Sequence, residues 1–181
     1  MDENEKSILE DFRNPDTRES AFGRLVKTYQ ERVYWHIRRM VISHDDADDV
    51  LQNVFIKVWK SLDNFRGDSG LFTWLYRIAT NESITFLKQK RGHLYVNFDD
   101  VAYGLSDTLE SDPYFRGDAI QKKLQNAILT LPDKQRVVFN MKYFEEMDYQ
   151  SMSEVLETSV GALKASYHHA VKKIEAYMKS A

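Results

Sequence analysis

Apolar side chains recur at steps of three and four along most of the chain, and no alternation of period two is sustained. The pattern predicts helices and no strand. Phe22, Leu25, Val26, Tyr29, Val33, Ile37 and Met40 form one stripe of an amphipathic helix. Ser43, His44, Asp45 and Asp46 break it with residues suited to an N-cap or a first helical turn. A second stripe follows at once: Ala47, Val50, Leu51, Val54, Phe55, Val58 and Leu62. Residues 64–70 hold two glycines and several turn formers, so they read as a loop. A third helix carries Leu71, Leu75, Ile78, Ala79, Phe86 and Leu87. It is expected to end at 88–92, where cations meet the helix C-terminus and Gly92 offers a cap.

The C-terminal third repeats the pattern in shorter pieces. Ile120, Leu124, Ala127, Ile128 and Leu131 form a stripe that Pro132 ends, and Asp133 is placed to cap a helix through Val137, Val138, Met141 and Phe144. Asp148 is expected to N-cap a short helix with Met152, Val155 and Leu156 inward. Glu157-Thr158 then makes a turn, and Ser159 caps a last helix with Leu163, Tyr167, Ala170, Val171, Ile174 and Met178 on one stripe. A short helix, a tight turn and a longer helix make a helix-turn-helix. Its turn usually takes glycine for a left-handed backbone, so Glu157 there costs about 1 kcal/mol. The fold class expected is all-α.

Composition narrows the classes. In 181 residues there are 3 prolines, 7 glycines and no cysteine. Thiolate metal sites, disulfides and thiol catalysis are thereby excluded, and a reducing compartment, the cytoplasm, is expected. No apolar run is long enough to span a bilayer, so no membrane insertion is expected, and the N-terminus lacks the apolar core of a secretory signal. The net charge is −3. It hides a pattern: residues 1–17 are net −4, 18–91 net +4, 92–119 net −5 and 120–181 net +2. Two mildly basic helical domains, 18–91 and 120–181, are expected on either side of an acidic linker, 92–119, behind an acidic N-terminal segment, 1–17. From composition the linker is either a simple connector or a segment that lies in a basic channel of a partner.

Candidate chemistry is sparse. The run Asp45, Asp46, Asp48, Asp49 lacks the glycine and the final Glu of a calcium loop. It reads as capping with a solvated acidic face, or as a face that docks a protein, and no metal is expected. Phe72, at the edge of the 64–70 loop, is a candidate base-stacking surface, while Trp74 and Leu75 read as core. Lys164, Ser166, His168, His169 and Lys172 lie on the outward face of the last helix and suit base edges or phosphates. Adjacent His168 and His169 diverge by about 100° on a helix, which disfavours a metal pair. No nucleophile triad, P-loop or dinucleotide fingerprint is present; no enzyme activity, cofactor or small-molecule substrate is expected.

Two long motifs carry a resemblance. One is Asp45-Asp46-Ala47-Asp48-Asp49-Val50-Leu51-Gln52-Asn53-Val54-Phe55-Ile56-Lys57-Val58-Trp59, then Phe65-Arg66-Gly67-Asp68-Ser69 and Thr73-Trp74-Leu75-Tyr76-Arg77-Ile78-Ala79-Thr80-Asn81. The other is Leu131-Pro132-Asp133-Lys134-Gln135-Arg136-Val137-Val138-Phe139, Tyr143-Phe144-Glu145 and Ser159-Val160-Gly161-Ala162-Leu163-Lys164. From about residue 20 to 178 the chain resembles an extracytoplasmic-function (ECF) sigma factor of bacterial RNA polymerase, the first motif matching sigma region 2 and the second region 4.

The resemblance implies roles. Asp45, Asp48, Asp49, Gln52 and Asn53 would dock on the β′ clamp helices of core RNA polymerase; the family more often has Glu where Asn53 stands. Gly67, Asp68, Ser69, Gly70 and Leu71 would form the loop that captures a base flipped from the −10 element, and Arg66 and Phe72 beside it would also bind that element. Arg77 and Asn81 would flank that pocket, and Lys88, Lys90 and Arg91 would hold phosphates. Ser159, Val160, Gly161, Ala162, Lys164, Ala165, Ser166, His168, His169 and Lys172 would read the −35 element. Ser166 and His169 stand where many members have Arg, which implies fewer phosphate contacts or a different −35 sequence. The partners implied are core polymerase (β′ clamp helices and β flap), promoter DNA and an anti-sigma factor. The alternative reading is a stand-alone helix-turn-helix regulator.

Overall fold

A computed structural model describes residues 3–94 and 119–179, the side chains of 91–94 excepted. The described residues form eight α-helices and a 3-10 turn, with no strand: α1 (Glu3–Arg13), α2 (Arg18–Val41), α3 (His44–Ser61), a turn at Leu62–Asn64, α4 (Leu71–Leu94), α5 (Ala119–Leu129), α6 (Asp133–Tyr143), α7 (Tyr149–Leu156) and α8 (Val160–Lys179). No helix among them is long and apolar enough to cross a membrane. The linker expected at 92–119 falls, between residues 95 and 118, outside the described residues.

Helices α2 and α3 form a hairpin. Phe22 meets Phe55 and Trp59 edge-on, with ring centroids 6.3 and 5.0 Å apart. Leu25, Val33, Ile37, Val54 and Val58 are wholly buried between the helices. The link is very tight. Ile42 has φ +69°, and Ser43 N–H donates to Val41 O at 2.9 Å, a γ-turn that a β-branched residue adopts at a cost. Burial of Ile42 helps hold it there. Ser43 then caps α3, its Oγ accepting from Asp46 N–H at 3.3 Å.

The acidic N-terminal segment is a packed helix. Ile8, Leu9 and Phe12 of α1 are buried against α2, and Trp59 lies edge-on to Phe12 at 5.3 Å. Helix α4 runs on to Leu94, through the Gly92 at which an end was expected. One helical glycine costs about 1 kcal/mol against alanine, too little to stop a helix by itself.

The C-terminal helices follow their caps. Asp148 Oδ1 accepts from Gln150 and Ser151 N–H, both at 2.9 Å, and Ser159 Oγ accepts from Ala162 N–H at 3.3 Å. The Ser151 hydroxyl, which donates to Asp148 Oδ2 at 2.7 Å, and then the two backbone bonds to Asp148 hold its carboxyl below its ordinary pKa. Glu157 takes the left-handed conformation of the turn, with φ 49° and ψ 42°. Asp133, expected as a cap, is instead the first residue of α6; Pro132 precedes it, and the Asp133 carboxylate takes Arg136 at 3.1 Å. Ile120 of the α5 stripe is 70% exposed, in the first turn at the edge of the described residues.

The two helical sets share a core. Val137, Val138 and Met141 of α6, Met152 and Val155 of α7, Met147 and Leu163 belong to the same buried cluster as the side chains of α1 to α4. Helix α7 packs along α4, and α6 against α2. A polar node sits within this contact. The Glu145 carboxylate, 8% exposed, takes Arg39 of α2 on one oxygen and the Tyr76 hydroxyl of α4, at 2.8 Å, on the other. Asn140 Nδ2 donates to Arg39 O at 3.4 Å, and the Arg39 guanidinium lies 4.6 Å over the Phe144 ring. Burial, reinforced by the Glu145 charge, pushes the Tyr76 phenol far above its ordinary pKa, so it stays a donor.

Candidate polymerase and nucleic-acid interfaces

The acidic run turns one face of α3 to solvent. Asp45, Asp48, Asp49, Gln52 and Asn53 are all exposed, and Ile56 continues the same face with 45% of its surface open. Spacings of three and four set them in a line. Two other groups near the run have local partners: His44 lies 3.5 Å from Asp48, and Lys90 of α4 lies 2.5 Å from Asp46. The exposed remainder is a ledge of carboxylates and amides on a rigid helix whose opposite side is core.

The loop 65–70 is stapled at both ends. Phe65 is buried and packs on Trp74 at 5.2 Å, and Leu71 is wholly buried. Between them Arg66, Gly67, Asp68 and Gly70 are exposed and Ser69 is half-buried. Gly67 has φ +77°, which L side chains rarely adopt, and a Cβ built there meets nothing within 4 Å. Directly after the loop, α4 presents Arg77, Asn81 and Lys88 on one exposed face.

Two expectations at this edge change. The side chain of Leu71 is in the core, so it supports the loop and cannot touch a base. Phe72 does not offer a free stacking face: Arg32 lies 3.9 Å over its ring, and Tyr29 and Tyr76 pack at 6.2 and 4.2 Å. Arg91 lies among the residues whose side chains are not described.

On the last helix Gly161, Ala162, Lys164, Ala165, His168, His169 and Lys172 are exposed, as is the cap Ser159. Ser166 and Val160 are half-buried, so Ser166 belongs to the flank of the helix rather than to its outer face. Lys164 Nζ lies 5.7 Å over the Tyr149 ring, which partners the ammonium from the first helix of the motif.

The outer face of α4 meets the turn of the helix-turn-helix. Arg77 pairs with Glu157, in the turn of the helix-turn-helix, at 3.5 Å. Sequence reasoning missed this contact and the Glu145 node. Neither has a local signature, since Glu145 lies 106 residues from Arg39.

Residues 25–93 match the family model for Sigma-70 region 2, and residues 121–174 the model for Sigma-70, region 4. The RNA polymerase sigma-H factor of Pseudomonas aeruginosa is 31% identical, covering 96% of this chain and 93% of that one. The ECF RNA polymerase sigma factor SigW of Bacillus subtilis is also 31% identical, with 83% of this chain and 84% of that one covered. Two solved structures share the fold at a TM-score of 0.71. One is CnrH in complex with the cytosolic domain of CnrY, 20% identical, with 98% of this chain and 99% of that one covered. The other is the sigma factor RpoE in complex with the anti-sigma factor NepR from Bartonella quintana, 19% identical, with 88% and 97% covered. Both sigma modules in order, on one helical chain, favour this reading over a stand-alone regulator: the chain belongs to the ECF sigma factors of bacterial RNA polymerase.

Proposed function

We propose that this sigma factor divides its work among three surfaces and must open to use them together. The α3 ledge holds the polymerase clamp helices, the 66–70 loop and the outer face of α4 capture the melted −10 element, and α8 reads the −35 element. The observation that carries the reading is the separation of roles in the first domain. The acidic ledge lies on α3, while the loop and its cationic continuation lie at the start and along the outer face of α4. A basic partner and a nucleic acid are thereby offered different surfaces.

Distance decides the need for opening. Elements named for positions −35 and −10 lie about 25 base pairs, and so about 85 Å, apart on B-DNA. Here Arg77 and Glu157 are 3.5 Å apart, which brings the two reading surfaces side by side. Docking on core polymerase, in the cytoplasm, supplies the energy to separate the domains and the avidity that two weakly basic domains lack. An anti-sigma factor, of the kind bound to the RpoE relative, would act by favouring the closed form.

Binding to core polymerase tests the first surface. Asp49→Arg places a cation on the ledge and is expected to weaken binding at least about tenfold, the size of a like-charge clash at an interface. Unchanged affinity would remove the ledge from the docking site. The last helix has its own test. In holoenzyme, Lys164→Ala is expected to weaken protection of the −35 element and to lower the salt dependence of promoter binding by about one phosphate contact. An unaltered footprint and slope would exclude Lys164 from DNA contact.

A further inference from the structure

Helix α1 lies outside both segments that match the sigma models, which begin at residue 25. Its inner stripe is Glu5, Ile8, Leu9 and Phe12, with Glu5 only 8% exposed. A carboxylate at the core-facing position of a short helix is costly unless it is hydrogen-bonded. Glu5 Oε1 accepts from the Tyr29 hydroxyl of α2 at 2.6 Å. Leucine would fill the place at less cost in solvation, so the polar choice needs a reason beyond packing.

The contact leads to the base-capturing loop. The Tyr29 ring packs on Phe72, with centroids 6.2 Å apart. Phe72 is the second residue of α4, held against Tyr76 at 4.2 Å and under the Arg32 guanidinium at 3.9 Å. Gly70, the last loop residue, accepts through its carbonyl from Trp74 N–H at 3.1 Å as α4 begins. A displaced Tyr29 therefore removes one of the three groups packed on Phe72 and loosens the stem from which residues 66–70 project. On the reading of that loop as the site of base capture, we infer that Glu5 and Tyr29 are positioning residues for promoter opening. Helix α1 is in this way part of the opening machinery, although it touches neither DNA nor polymerase on that reading.

The test uses bacterial core polymerase loaded with the full chain, and a promoter obtained by transcribing a genomic library with the wild-type holoenzyme. The probe is that promoter with 2-aminopurine in the −10 element, whose fluorescence rises when the base unstacks. Core affinity is measured in parallel. Glu5→Ala and Tyr29→Phe are each expected to lower the equilibrium yield of unstacked base about fivefold to tenfold, the worth of one typical hydrogen bond. Affinity for core should stay at the wild-type level. Glu5→Gln retains an oxygen that accepts from Tyr29 and should restore most of the yield. Tyr29→Phe removes one hydroxyl and keeps the ring, so it carries the test if Glu5→Ala fails to fold.

Ser69→Ala, in the loop itself, separates the two levels of inference. A defect with Ser69→Ala and normal opening with Tyr29→Phe would overturn the role of α1 and leave the loop in place. Loss of core binding in step with opening would also overturn it, because α1 would then only stabilise the domain. Normal opening with Ser69→Ala would remove the loop from base capture, and the role of α1 with it.

Discussion

Glu145→Ala is expected to separate the two helical domains of the free protein. The Glu145 carboxylate is 8% exposed and joins Arg39 of α2 to Tyr76 of α4. Its loss leaves a guanidinium that is 25% exposed beside Phe144, and a buried phenol that keeps one acceptor, Arg32 O at 3.1 Å. Removing one partner of a fully buried ion pair costs about 3–5 kcal/mol. Arg39 retains part of its hydration, so about 2 kcal/mol is expected here. That shifts a closed–open equilibrium about thirtyfold. The chain has no cysteine, so cysteines introduced at exposed Lys60 and Lys173 accept a fluorescent dye pair without ambiguity. Energy transfer between them should fall in Glu145→Ala, and Glu145→Gln should lie between it and the parent. If the variants keep full transfer, the apolar contacts of Val155 and Met147 hold the domains together without the node. The same variant bears on function, because a looser closed state leaves less energy for polymerase to supply. Tighter binding to core is therefore expected, provided the α3 ledge is untouched.

Mild acid is expected to destabilise the protein through His36. This histidine is fully buried, and its Nε2 lies 2.8 Å from Thr80 Oγ1. Burial, with a smaller push from nearby Arg39, lowers its pKa from 6.5 to about 3. The folded chain therefore keeps His36 neutral at pH values where the unfolded chain protonates it. Stability is fully present above about pH 6.5 and falls with pH from there toward 3. The slope approaches about 1.4 kcal/mol per pH unit. Between pH 7.5 and pH 5 the loss from this one group is about 2 kcal/mol. Denaturant unfolding at the two pH values measures it. His36→Gln should be less stable at pH 7.5, since packing on Tyr76 at 4.6 Å is disturbed, but should lose much less on going to pH 5. An equal loss in parent and variant would assign the acid sensitivity to other groups.

Much of this was legible along the chain because it is local. Ser43, Asp148 and Ser159 cap the helices they precede, each through a bond spanning three residues or fewer. The stripes of α2, α3 and α8 place their large apolar residues inward, as the 3.6-residue period requires. Glu157 takes the left-handed turn that the helix-turn-helix needs. The exposed face of α3 follows from the same periodicity, since a stripe that is apolar on one side leaves its carboxylates on the other.

Where local signals failed, a weak one met a stronger distant one. Gly92 did not end α4, because one helical glycine costs only about 1 kcal/mol against alanine. Helix α1 went unread because its stripe includes Glu5, and a buried carboxylate looks polar until its phenol partner, 24 residues away, is known. Phe72 looked free for a base, and only the fold lays Arg32 over it.

The sequence alone determined the all-α class, the helix-turn-helix and the two sigma motifs, since these depend on hydrophobic period, caps and residue order. The tertiary structure decided that the domains close on each other and that Arg39, Tyr76 and Glu145 share one buried node. It also decided that Arg77 faces Glu157. Pairings over such separations leave no trace in periodicity, and their strength depends on burial, which exists only once the helices have packed.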